Sequence, residues 1–321
     1  MSEVQVLRTN ISPYQAKDFP YKEKIALEGI GGIKYLARAT GVERPKILIT
    51  NTQTNLGEFY AEILEGTELI IHPNSGYDHF TQDAHLWKDI PVVLGNEIRA
   101  QAVAEYCLRC LFEGAIEFPQ HLEWNKERKW DRPIIRDLPV WIFGYGHVGK
   151  ILAKTLSALG SKVTVVDPFI DECPYRHIKT WKDGKLAEAR VVILAMGLNK
   201  TSQRMLDYRF FESVHPELLL INPARGKLIE ENALKDFLPG HPKAFAFLDT
   251  FEKEPFGNEW HHIPQVWKTS HIAGVDARLD DRIIDFEVKI VTDWLALGKR
   301  GFIKKYQSDI LQYKVRDGVL I

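Results

Sequence analysis

The sequence predicts an α/β protein made of two doubly wound parallel-sheet domains, and three observations predict it. Short β-rich apolar runs alternate with segments of helical periodicity along most of the chain. A glycine-rich turn, Gly144-Tyr145-Gly146-His147-Val148-Gly149, interrupts that alternation between an apolar run and a helical one. The length of 321 residues suits about two domains of roughly 100–200 residues each.

Residues 4–8, 46–50, 68–72 and 91–94 read as short buried strands, with helical patterns at Glu58–Leu64 and 81–87 between them. The third is followed by the turn-rich Pro73-Asn74-Ser75-Gly76. From residue 100 to about 116, Ala104, Leu108, Leu111 and Phe112 recur at helical spacing and predict the first long helix. Residues 118–138 are rich in charge and Trp and read as an irregular connection. Six runs follow, at 140–143, 162–166, 190–195, 218–221, 244–248 and 266–270. They fit strands covered by helices on both faces. Helices are expected at 148–159, stopped by Gly160, at 229–237, and from 276 to about 297.

Lys and Arg total 42 against 43 Asp and Glu, a net charge of −1. That balance gives no sign of a nucleic-acid-binding or polybasic membrane surface. Three cysteines, no apolar stretch behind a basic start and no run of 18 apolar residues suggest a cytoplasmic chain. No metal site is expected. His261-His262 lacks ligand spacing, and Cys107-x-x-Cys110 lies inside a helical run, where it reads as two buried thiols. Lys126 to Lys129 mixes signs and reads as surface. Trp141 and Trp267 fall in predicted strands and read as core.

The turn G-x-G-x-x-G between a strand and a helix is a dinucleotide fingerprint. Its first glycine permits the tight turn, its second lets backbone approach a pyrophosphate, and its third lets helix and strand pack closely. The helix start then offers free N–H groups to phosphate. The next strand ends in Val165-Val166-Asp167-Pro168, at the spacing where an acid accepts bonds from ribose hydroxyls. Such an acid repels a 2′-phosphate and predicts NAD over NADP, although Arg176 downstream could serve a phosphate.

Ligands of open parallel sheets bind beyond the carboxyl ends of the strands. Those ends here carry Asn222-Pro223-Ala224-Arg225-Gly226, then Asp249 through Glu254-Pro255, then Ser270-His271-Ile272-Ala273-Gly274. A carbonyl–alcohol redox step needs these types. His271 can move the proton at oxygen. Glu254 on its far ring nitrogen can fix the tautomer, and Arg225 can clamp a carboxylate and polarise the neighbouring carbonyl.

NPARGKLIEENAL, FLDTFEKEP and TSHIAG resemble the three signature segments of the D-isomer-specific 2-hydroxyacid dehydrogenases, and GYGHVG and VVDP resemble that family's cofactor segments. The resemblance covers about residues 66–300. It implies a Rossmann-type NAD domain at 97–274 inserted into a flavodoxin-like substrate domain of 1–96 and 275–321, with a cleft between them. It implies hydride exchange between NAD and a small D-2-hydroxy acid, with Arg225, Glu254 and His271 catalytic. The implied cofactor set is Gly144, Tyr145, Gly146, His147, Val148, Gly149, Asp167, Pro223, Ala224, Gly274, Val103 in the Ala102–Glu105 segment, and Asp249, which would hold the nicotinamide carboxamide. Backbone N–H groups at Ser75 and Gly76, before Tyr77-Asp78, would hold the substrate carboxylate. A homodimer built on the cofactor domain is the implied assembly.

Four positions depart from the family pattern. His72 stands where relatives acting on phosphorylated substrates carry Arg, which argues against phosphoglycerate. Ser270 replaces Pro before the histidine, Pro223 replaces Thr, and Gly197 replaces a Pro in the loop over the cofactor. Two other readings share the fold. One is an NAD(H)-sensing, corepressor-like interaction protein. The other is formate or phosphite oxidation, against which Glu254 speaks, since formate enzymes carry Gln there.

Overall fold

The computed structural model describes residues 3–38, 43–54, 58–77, 84–115, 124, 126–128, 132–316 and 319–320. The chain divides into two compact units, Met1–Arg99 with Val275–Ile321, and Ala100–Gly274.

In the first unit β1 (Val4–Arg8), α1 (Phe19–Glu28), β2 (Ile33–Leu36), β3 (Ile47–Ile49), α2 (Glu58–Leu64), β4 (Leu69–His72), α3 (Ala84–Trp87) and β5 (Val92–Leu94) follow in order. The strands form a parallel sheet in the order β2-β1-β3-β4-β5, the flavodoxin-like arrangement. Neither α1 nor β2 stood out in the sequence. The buried positions of α1 are Phe19, Glu23 and Leu27, so a glutamate occupies the middle of its inward stripe. The remainder of the expected 81–87 helix and Asp78 lie outside the described residues.

Helix α4 (Asn96–Ala115) starts four residues before the expected position and leads into the second unit. There β6 (Val140–Phe143), α5 (His147–Ala158), β7 (Val163–Val166), β8 (Arg176–Ile178), β9 (Val191–Leu194), α6 (Tyr208–Ser213), β10 (Leu219–Asn222), α7 (Glu231–Phe237), β11 (Phe245–Leu248) and β12 (Val266–Lys268) follow. The parallel order β12-β11-β10-β9-β6-β7-β8 is a Rossmann sheet extended by one strand, and the order reverses between β9 and β6. The seventh strand, β8, was missed in the sequence because its Arg-His-Ile has no buried run. Helix α8 (Leu279–Tyr306) returns to the first unit and is broken at Gly298, where φ is +63°. No described helix is long and apolar enough to cross a membrane.

Strands β3 to β7 and β9 to β11 are buried as read, and Trp141 is core. Trp267 is a correction: it lies on the edge strand β12, is 48% exposed, and rests one face near Phe247 at a ring distance of 5.3 Å. Cys107 and Cys110 are buried thiols. Burial pushes Cys107 well up and Cys110 to about 11, so neither is a ready thiolate.

One feature of the first unit is invisible in any apolar pattern. Arg8 at the end of β1, Glu23 of α1 and Glu287 of α8 are all fully buried together. Arg8 Nε donates to Glu23 Oε1 at 2.7 Å, its Nη2 donates to Glu287, and Tyr35 of β2 donates to Glu23. Burial disfavours the Arg8 cation, but the two carboxylates more than reverse this and raise its pKa. One cation balances one carboxylate. Burial, with Glu23 nearby, pushes the Glu287 carboxyl well above the usual range despite Arg8.

The folded state therefore holds the Glu287 proton to higher pH than the unfolded chain, which releases it above about pH 4.5. Stability contributed by this group falls as pH rises from that point through the folded pKa. Glu287→Gln supplies a neutral carboxamide, so its Tm minus that of the native protein should climb by a few degrees between pH 5 and pH 8. Thermal scans across that range would contradict the protonated assignment if the difference stayed flat.

Candidate functional site

The glycine turn follows β6. Gly144 adopts φ +96°, and its N–H bonds to the Val166 carbonyl of β7 at 2.9 Å. A Cβ at Gly149 would lie 2.0 Å from the Gly144 carbonyl oxygen, so only glycine lets α5 approach the strand. A Cβ at Gly146 would meet nothing within 4 Å. Gly146 precedes the first turn of α5 and has no side chain to cap it. Gly146 and His147 are exposed, while Tyr145 and Val148 are partly buried. This is backbone shaped to receive an anion.

Asp167, one residue beyond β7, is fixed by two amides. Tyr145 N–H reaches its Oδ2 at 2.8 Å and Phe169 N–H its Oδ1 at 2.8 Å. The residues present thus fit a dinucleotide: an open amide edge for its phosphates and an acid at the neighbouring strand end for its ribose.

Three strand ends on the other side of the switch point carry the polar groups. After β10, the fully buried Asn222 donates to the Arg225 carbonyl at 2.9 Å and accepts the Ala224 N–H at 3.1 Å. This bends residues 222–225 into a fixed loop. Arg225 is partly buried, and its Nη1 donates to the Ala224 carbonyl at 2.7 Å. Gly226 then packs directly on the next loop, where a Cβ would lie 1.8 Å from the Phe251 carbonyl carbon.

After β11, the Asp249 carboxylate is 1% exposed. It accepts Thr269 Oγ1 at 2.5 Å, Ile272 N–H at 2.8 Å and Ala273 N–H at 2.8 Å. The Asp249 carbonyl accepts the His271 N–H at 2.8 Å. The carboxylate read as a nicotinamide ligand also holds the turn that bears His271. His271 has φ +57°, a left-handed conformation rare for a non-glycine residue, and it persists because these bonds over-determine it. Tyr106 of α4 adds a further link through Thr269 at 2.8 Å.

In this conformation His271 Nδ1 lies 3.0 Å from Glu254 Oε2. Burial pushes the Glu254 carboxyl up, but the His271 bond, the Phe251 N–H and the Arg225 guanidinium together bring it below the usual carboxylate range. An ionised carboxylate only accepts, so Nδ1 carries the proton and Nε2 is left for chemistry. The imidazole is half exposed, which gives it access to a reactant. Glu231 accepts the Glu252 N–H at 2.8 Å and Arg204 donates to Glu252 at 2.8 Å, which braces the loop from behind. Sequence reading missed Asn222, Thr269, Glu231 and Arg204 as supports; of these only Arg204 lies outside the recognisable segments.

The remaining expected residues are placed as follows. Val103 lies on α4 and packs on the core beneath it, Pro223 is buried, Ala224 packs partly on the sheet, and Gly274 is the last residue of the second unit. In the first unit, Ser75 is exposed and Gly76 partly so. The turn that presents them is held by His72, which is fully buried, with Nε2 3.0 Å from the Gly76 carbonyl and Nδ1 2.9 Å from Thr50 Oγ1.

Comparison with known proteins gives a family match over residues 106–273, more than half of the chain, to the model described as "D-isomer specific 2-hydroxyacid dehydrogenase, NAD binding domain". D-3-phosphoglycerate dehydrogenase of Archaeoglobus fulgidus is 25% identical over 269 residues, 81% of this chain and 51% of that protein. The chain therefore spans about half the length of that relative. (S)-Sulfolactate dehydrogenase of Chromohalobacter salexigens is 29% identical over 65% of this chain and 71% of its own length. A solved D-isomer specific 2-hydroxyacid dehydrogenase from Xanthobacter autotrophicus, in complex with NADPH, superposes with a TM-score of 0.75 at 20% identity, covering 92% of this chain and 96% of its own.

The Asp249 bonds generate a direct test. Asp249→Asn keeps the shape but turns one acceptor into a donor facing buried donors. It should cost about 1–3 kcal/mol of stability, the usual cost of an unsatisfied buried donor. A urea midpoint unchanged from the native protein would remove Asp249 as the anchor of the His271 turn.

Proposed function

The chain belongs to the D-isomer specific 2-hydroxyacid dehydrogenase family, and on that premise we propose that it interconverts a small D-2-hydroxy acid and its 2-oxo acid. The carrying observation is the His271–Glu254 pair, 3.0 Å apart, under the influence of Arg225 at the carboxyl edge of a Rossmann sheet. NAD, when bound, supplies or accepts the hydride.

In this reading the amides of Gly146 to Gly149 at the start of α5 hold the pyrophosphate, and Asp167 receives the ribose hydroxyls. Arg225 and the Ser75 and Gly76 N–H groups bind the substrate carboxylate. In the reducing direction His271 gives its Nε2 proton to the substrate oxygen as the carbonyl carbon gains hydride; oxidation returns the proton to Nε2. Glu254 stays ionised, holds the tautomer and stabilises the imidazolium. Asp249 acts through the backbone that sets the position of His271, so we assign it as a positioning residue. A sensor of NAD(H) has no use for this proton path, which favours catalysis over the corepressor-like reading.

Following NADH absorbance with glyoxylate, hydroxypyruvate, pyruvate and longer 2-oxo acids should reveal turnover on at least one. Tight NADH binding with none turned over would favour the sensor. His271→Ala should lower kcat by about 10²–10⁴-fold, the range of general acid–base catalysis, with NADH affinity retained; persistent activity would refute the acid assignment. Asp167→Ala should weaken NADH binding more than NADPH binding, measured by protein fluorescence, and an unchanged ratio would refute the ribose role.

A further inference from the structure

Arg99 lies in the first turn of α4, against the turn that presents Ser75 and Gly76. Its Nη1 donates to the Pro73 carbonyl at 2.6 Å and its Nη2 to the Tyr14 hydroxyl at 3.0 Å. Both acceptors are neutral. A guanidinium has five N–H donors, so most of its capacity is uncommitted. Among the described residues no carboxylate pairs with it. The neighbouring Asp276 pairs with Arg282, which also donates to the Ile98 carbonyl at 3.1 Å, and Glu97 pairs with Lys289 at 2.8 Å.

Among the described residues, the guanidiniums of Arg99 and Arg282 share the neighbourhood of one carboxylate, Asp276, which is paired with Arg282. Arg99 is partly buried, and its desolvation together with Arg282 lowers its pKa, so the cation sits where a charge partner would be favourable. The Ser75 and Gly76 N–H groups on the same turn donate to no described residue. Three kinds of donor therefore belong to this turn or to the residue that braces it: the two amides, the Arg99 guanidinium, and the Tyr14 hydroxyl bonded to it, which can still donate. One substrate carboxylate does not use them all.

His72 also explains why the charge comes from this place. The side chain at the end of β4 is fully buried and committed to holding the turn, with Thr50 on one nitrogen and the Gly76 carbonyl on the other. It cannot reach a ligand. The cation beside the turn is supplied by α4 instead.

We propose that Arg99 selects for a second anionic group on the substrate, a carboxylate, sulfonate or phosphate carried beyond the reacting carbon. This rests on the dehydrogenase reading above and narrows its substrate class to doubly anionic 2-oxo and 2-hydroxy acids. Arg99 is a specificity residue and takes no part in hydride or proton transfer.

The test compares kcat/KM with NADH for oxaloacetate, 3-sulfopyruvate and 3-phosphohydroxypyruvate against pyruvate and hydroxypyruvate. In the native protein at least one doubly charged substrate should lead by about tenfold or more, the scale of one charge-assisted bond pair. The three leads separate carboxylate from sulfonate from phosphate. Arg99→Gln should remove most of the lead through KM, and Arg99→Lys should keep part of it. Arg99 also braces the turn, but loss of bracing slows all five substrates alike and leaves the ratio unchanged. A ratio unchanged in Arg99→Gln, or a native preference for singly charged acids, overturns the proposal. If singly charged acids turn over in either case, the dehydrogenase reading survives it. If none of the five is reduced while NADH binds, that reading fails and this one with it.

Discussion

The buried carboxylate of Asp249 is the constraint on which the site depends. Parallel register sets Leu248 of β11 against Lys268 of β12, so the residues that follow both strands emerge side by side. Asp249 is then placed to accept the Thr269 hydroxyl and two amides of the next turn. Its desolvation is offset by those donors, and in exchange the turn cannot relax. That rigidity keeps His271 at φ +57° and brings its Nδ1 to Glu254. A histidine in an ordinary extended backbone at this point would aim its ring elsewhere. The His271–Glu254 pair is therefore a consequence of sheet register passed through one buried carboxyl group.

The opposite loop uses backbone contact in place of charge. Gly226 lets the loop carrying Arg225 lie directly on the Phe251–Glu252 peptide. Any side chain there would push Arg225 and Glu254 apart, and the influence of the guanidinium on that carboxyl depends on their proximity. Gly149 does the same for helix α5 and the phosphate turn. In both places function requires two backbones closer than a Cβ allows, which is why the informative letters are glycines.

This also explains what was legible in the sequence. Strands buried on both faces appear as unbroken apolar runs, so β6, β7, β9, β10 and β11 could be read, and with them the strand ends where Asp167, Arg225 and Asp249 stand. Elements whose burial is mixed could not. Helix α1 turns Glu23 inward because Arg8 waits there, β8 has no buried run, and Trp267 looked like core because apolar pattern cannot tell an edge strand from a central one. The supports from Thr269, Glu231 and Arg204 are polar contacts between segments distant in sequence, and no periodicity encodes them.

Asp167 shows how far a fixed charge can shape cofactor choice. A carboxylate offers about four acceptor sites, and two are taken by the Tyr145 and Phe169 amides. The remaining two suit a pair of ribose hydroxyls. Because the Tyr145 amide belongs to the glycine turn, the acid and the phosphate cradle are positioned together. A 2′-phosphate would meet a negative charge that is tied down and cannot swing aside, with no paired cation at Asp167 among the described residues to screen it. Removing the acid relieves that repulsion and at the same time loosens the turn that both cofactors need. Preference for the phosphorylated cofactor would therefore need a cation as well as the loss of Asp167.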